Sequence, residues 1–194
     1  AQFPPNKAAE HSCKDCPNYN ELTWYIERGH PMWDADGIFA FNNHLQKGGV
    51  WLLKKDNIPG FSAAAAPNGV NFSDAASHYT TAYYYPSYGG TPTPPQYPAP
   101  SVTLSGGAPQ IADRGKYFFL PAAGYYIYDR NPSGSFTNRT VLQGLGAEGV
   151  WWSCDGTIAP PNRAANLHFN QSMMEIGVQN ARTYMTLAPI WKAQ

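Results

Sequence analysis

Cys13 and Cys16 stand in the Cys-x-x-Cys spacing of thiol redox centres and half zinc sites, with His11 close by. A structural zinc needs four ligands, and no second pair follows, so no metal is expected there. With Cys154 as the third cysteine, at least one thiol is left unpaired. A Cys13 to Cys16 bridge, a Cys16 to Cys154 bridge and free thiols all stay open, and none of them builds a dense disulfide framework. Asp34-x-Asp36-Gly37 has the opening of a calcium loop, yet Leu45 stands where such a loop ends in Glu. The Glu-Pro-Asn and Trp-Asn-Asp triplets of calcium-dependent sugar binding are missing, as are Gly-x-Ser-x-Gly, phosphate-loop, His-Glu-x-x-His and Gly-x-Gly-x-x-Gly patterns. The residues therefore point to no enzyme and to no cofactor or metal.

Aromatic side chains offer a different chemistry. Trp24, Trp33, Trp51, Trp151, Trp152 and Trp191 carry indole faces that stack on the apolar faces of pyranose rings as they bury any apolar surface. Trp24 in a helical pattern and Trp51 and Trp151 in strand-like runs are expected in the core. Trp33 and Trp152, beside turns, stay open as contact residues.

Composition limits what must position these groups. The 194 residues balance 13 basic against 13 acidic side chains, and only 13% are charged, about half the usual share of roughly 25%. Nucleic acid is a poor partner for such a chain. With 13 Tyr, 6 Trp, 9 Phe, 18 Gly and 18 Pro, short strands joined by many turns are favoured over long helices. No apolar run is long enough to span a bilayer, so no direct membrane insertion is expected.

Residues 1–12 read as a flexible leader and 13–194 as a single α+β domain. Asn18-Tyr-Asn-Glu21 is a capping box that predicts a helix over 19–28, with Leu22, Tyr25 and Ile26 inward and Gly29 as its stop. Ile38 to Leu53 reads as a strand or short helix, a break at Gly48-Gly49, then a buried strand. The Pro-, Gly- and Tyr-rich stretch at about 59–107 reads as a long surface insertion. Strands are expected at Lys116 to Leu120, Gly124 to Tyr128 and Gly149 to Trp152, then a hairpin about Asn170-Gln-Ser172, and a last strand from Thr183 to Leu187.

Several of these blocks fall in a familiar order: Cys16-Pro-Asn-Tyr-Asn-Glu-Leu-Thr-Trp-Tyr25, Gly29-His-Pro-Met-Trp-Asp34, Lys47-Gly-Gly-Val-Trp51, Lys116-Tyr-Phe-Phe-Leu-Pro-Ala-Ala-Gly-Tyr-Tyr126, Gly149-Val-Trp-Trp-Ser153 and Asn166-Leu-His-Phe-Asn170. Together they resemble the "Fibrobacter succinogenes major paralogous" domain of exported Bacteroidales proteins. The resemblance covers roughly residues 16 to 190 outside the insertion. It implies a C-type-lectin-like fold with one clear N-terminal helix, short antiparallel strands and long loops. The helix motif also resembles the formylglycine-generating-enzyme subgroup of that fold, to which retroelement-diversified variable proteins belong. The paired C-terminal cysteines of the enzymes are missing, which argues against an oxidase of that type. In the diversified proteins the residues that vary lie near the C-terminus, which corresponds here to about Ser153 to Tyr184. The chain departs from its relatives in that segment, with Cys154-Asp-Gly-Thr-Ile-Ala-Pro-Pro161 after the tryptophans.

On that resemblance, Trp152, Asp155, Asn162, Arg163, Asn166, His168, Glu175, Gln179, Asn180, Arg182 and Tyr184 are expected to form a shallow ligand-binding patch, since Tyr, Trp, Asn and Arg on small-residue loops give contact area at low entropy cost. The competing expectation is that His168 and Tyr184 face the core and the charges form a solvated rim. The function so implied is an exported binding domain, an adhesin or receptor-binding module on a cell, fimbrial or phage-particle surface. Its partner would be a protein or glycan on another cell or host. A structural subunit or cap of a surface assembly is the alternative.

Overall fold

α1 spans Tyr19–Arg28, where the capping box requires it. The Asn18 side chain accepts from the Glu21 amide while the Glu21 carboxylate accepts from the Asn18 amide, both at 2.9 Å. Leu22 and Ile26 are buried and Tyr25 is packed against the core. Gly29 ends the helix, its amide donating to the Tyr25 carbonyl, but with φ −79° it is not left-handed. A Cβ there would run into that same carbonyl, and the left-handed step falls on His30, at φ 46°. The computed structural model describes residues 17–71, 100–130, 136–156, 163–180 and 184–185.

β1 (Met32–Phe41) and β2 (His44–Leu53) form one long antiparallel hairpin. The break expected at Gly48-Gly49 does not occur, and the chain instead reverses at Asn42-Asn43, whose φ values of 47° and 63° suit a tight hairpin turn. The two glycines lie inside β2. A Cβ on Gly48 would meet the Gly146 carbonyl, and one on Gly49 would enter the ring of Phe119, so they permit close packing.

The remaining strands are β3 (Ser101–Thr103), β4 (Ser105–Gly106), β5 (Tyr117–Pro121), β6 (Ala123–Arg130), β7 (Phe136–Leu145), β8 (Glu148–Gly156), β9 (Arg163–Asn170), β10 (Met173–Asn180) and β11 (Tyr184–Met185). Among the described residues they make a four-stranded sheet, β4-β1-β2-β5, and a seven-stranded one, β11-β6-β8-β9-β10-β3, with β7 beside β6. The chain is therefore mixed α+β, mostly strand, with one main helix. The expected hairpin is present between β9 and β10, and Asn170 Oδ1 accepts from the amides of Ser172 and Met173 to close its turn. β7 was not anticipated, and of the last expected strand only Tyr184–Met185 is described.

The ends of the stretch read as an insertion belong to the scaffold. Ala63 accepts from Asn18 and Asn20, Ala65 accepts from the Trp24 indole, and Ala66 is buried. At the other end, β3 joins the large sheet and β4 the small one, with buried Leu104 between them. Residues 72–99 lie outside the described residues. A second crossing, at fully buried Ala122, carries the chain from β5 to β6. The core fills the space beneath both crossings, with Leu22 and Ile26 of α1 packed together with Val50, Leu52, Leu120, Leu167, Phe169, Met174 and Ile176. No helix among the described residues is long and apolar enough to cross a membrane.

Candidate ligand-binding face

β8, β9 and β10 are neighbours, and their register sorts the candidate residues by face. Trp151, Leu167 and Ile176 stand in one cross-strand row, all buried in the core. Because side chains alternate along a strand, Glu148, Val150, Asn166, His168 and Glu175 belong to the opposite face. His168 is the centre of that face. Its Nδ1 lies 3.2 Å from Glu175 Oε1 on β10 and its Nε2 lies 3.7 Å from Glu148 Oε2 on β8. The three side chains are 26%, 36% and 35% exposed, so the trio is half-sheltered and within reach of solvent.

A neutral imidazole has one N–H and serves one carboxylate at a time, whereas the protonated ring serves both. The two carboxylates address different ring nitrogens, Glu175 at Nδ1 and Glu148 at Nε2. Among the described residues no three such groups are placed to hold a metal ion. What remains is acceptor-rich: four carboxylate oxygens around one imidazole, suited to a ligand that donates hydrogen bonds.

Asn166 departs from expectation. It was assigned to the surface patch, but it is 0% exposed, and among the described residues neither polar atom of its amide has a hydrogen-bond partner. By register it stands opposite Trp152 and Gly177, and its amide leans over Gly177, where a Cβ would lie 2.8 Å from its Oδ1. Trp33 likewise is buried, its ring 6.5 Å from that of Phe169.

The other expected residues are placed as strand positions. Trp152 pairs with Asn166, Asp155 lies in the irregular stretch before Gly156, Arg163 pairs with Asn180, and Gln179 pairs with Ala164. Tyr184 pairs with Ile127 on β6, so two strands separate it from β9. Asn162 and Arg182 lie outside the described residues, as do Cys13, Cys16 and Trp191. Glu148 was missed by sequence reasoning. It lies 20 residues before His168 with no local signal, and only the β8–β9 register joins them.

The chain matches no family model, no curated protein and no solved structure.

Proposed function

We propose that this chain is a non-enzymatic ligand-binding domain of C-type-lectin-like fold, exported and displayed on a cell, fimbrial or phage-particle surface. It holds a protein or glycan ligand through the His168-bearing face of β8, β9 and β10. The observation that carries this reading is the trio Glu148, His168 and Glu175, three polar side chains from three strands gathered, beside buried Val150 and Asn166, on the face opposite the row Trp151, Leu167 and Ile176. By register Trp152 and Gln179 hold strand positions in phase with His168, whereas Arg163 and Asn180 are in phase with Leu167 and Ile176 and do not extend that face. One helix beside strand-rich sheets agrees with the resemblance drawn from the ordered sequence blocks.

Arrays of glycans and of surface proteins, probed with the purified chain, test the proposal. A captured ligand should bind about tenfold more weakly to His168→Ala or Glu175→Gln, the scale of one lost polar contact. Absence of any ligand, or unchanged binding in both variants, sinks the assignment. Diversification by a retroelement is tested separately, by seeking a reverse-transcriptase gene and a near-repeat of the codons for residues 150–190 in the adjoining DNA.

A structural-subunit reading draws on one specific observation. Ile38 and Leu45, 61% and 76% exposed, are near neighbours across the β1–β2 hairpin and leave apolar surface to solvent. A sedimentation profile that stays monomeric at high concentration removes that alternative.

A further inference from the structure

The two sheets meet at an unfilled seam. β3 is an edge strand of the large sheet and β4 an edge strand of the small one, and α1 ends beside both. Between them lies a groove of about 340 Å³, lined by Ile26, Glu27, Pro31, Met32, Val102 and Tyr117, with His30, Thr103 and Ser105 at its polar margin. That volume falls at the lower end of the range for small-molecule sites, roughly 300–1,000 Å³.

The lining divides by chemistry. Ile26, Pro31, Met32 and Val102 are its apolar lining, and Tyr117 is its one aromatic residue. Glu27, His30, Thr103, Ser105 and Tyr117 supply the polar atoms, and among the described residues none of these five side chains has a hydrogen-bond partner within the protein. Their donors and acceptors are uncommitted. His30 is held at this margin by its backbone: Gly29 and Pro31 on either side are buried, and the Gly29 carbonyl accepts from the Leu53 amide at 2.8 Å. The left-handed step at His30 turns an exposed imidazole out between two anchored residues.

We infer that this seam is a second binding site, independent of the β8–β10 face, and that it takes a primary ammonium group carried on a short alkyl stem. Within the lining, charge favours this class, the Arg28 of the same helical turn lying outside it. Glu27 is the one carboxylate in the lining, and the negative end of the α1 macrodipole falls at the same place. Glu27 and the carbonyls of the last helical turn only accept hydrogen bonds, and an ammonium group offers three donors and no acceptor. The apolar lining and the Tyr117 ring suit the alkyl stem, and an aromatic face also attracts a cation. A neutral sugar would engage the hydroxyls but gain nothing from the Glu27 charge or the helix end. A free alkylamine and the side chain of a lysine both carry this ammonium group, and the experiment separates these sources.

Chemical-shift titration of the full chain with n-butylamine is the test, with 1-butanol and methyl glucoside as neutral comparators and an acetylated lysine amide as the second ammonium source. Saturable shifts are expected at Ile26, Val102 and Tyr117 with the amine, about tenfold weaker with butanol, and weakening as salt is added. Tighter binding of the lysine derivative than of butylamine assigns the site to a protein side chain, and the reverse assigns it to a free amine. Glu27→Gln should lose the preference for amine over alcohol. Thr103→Lys, which supplies an ammonium from the groove wall, should abolish binding while the thermal unfolding midpoint confirms an intact fold. Absence of saturable shifts, equal binding of the neutral compounds, or full amine binding by both variants overturns the proposal.

Discussion

Tyr25 sits where α1 meets the rings of Phe61 and Phe118, at centroid distances of 5.3 and 5.5 Å. Burial pushes its phenol well above the usual range, and the charges of Glu21 and Asp56 add to the effect. In the unfolded chain the phenol ionises near its ordinary value of about 10. The unfolded state therefore releases its proton first, so the stability this residue contributes is full below about pH 10 and lost as pH rises beyond it. Urea midpoints followed from roughly pH 8 to 11 should fall less steeply in Tyr25→Phe than in the parent chain. Asn166 poses the opposite case, a buried amide with both atoms unpaired. Removing such a group in favour of an apolar side chain of similar volume relieves a desolvation cost of about 1–3 kcal/mol. Asn166→Leu is accordingly expected to raise the thermal unfolding midpoint. A lowered midpoint would show that the amide has a partner when the domain works.

At the scale of elements, the β1–β2 hairpin shows how backbone conformation selects residues. Asn42 and Asn43 both take positive φ, which asparagine tolerates and β-branched side chains do not. Asn43→Val should destabilise by about 1–2 kcal/mol in chemical denaturation, and Asn43→Gly should not. Further along the same strand, Gly48 has φ 103° and faces the Gly146 carbonyl. Gly48→Ala meets both a conformational and a steric obstacle, and its loss should be the larger of the two, measured the same way. The hairpin was half-legible in the sequence. Its apolar runs identified two segments, but a Gly-Gly pair looks the same whether it reverses a chain or lets a neighbour approach. Asn-Asn was the better turn signal.

Across the whole molecule, two buried crossings join the sheets. At Leu104 the amide donates to the Ser172 carbonyl of the β9–β10 turn, and shortly after it the Gly107 amide donates to the Trp33 carbonyl of β1. At Ala122 the amide donates to Gly48, and its own carbonyl accepts from Gly146. Leu104→Ala would open a cavity where both sheets and α1 converge, at a cost of about 2–5 kcal/mol. Hydrogen exchange should then quicken in β1 as well as in β10. Faster exchange confined to one sheet would mean that Leu104 does not couple them.

The sequence by itself determined α1, because a capping box and a terminal glycine are local and their hydrogen bonds close within a few residues. It also marked β5, β6 and β8 by short apolar and aromatic runs that end in turn residues, and the β9–β10 hairpin by its Asn170-Gln-Ser172 turn. The tertiary structure alone decided which faces meet. Glu148 reaches His168 only through strand register, Asn166 is buried where His168 two residues on is part-exposed, and the ends of the apparent insertion become β3, β4 and the cover of α1. A strand's pattern says that one face is covered, but what covers it is set by residues far away in the chain. The site at His168 and the groove at Glu27 both arise from such distant pairings.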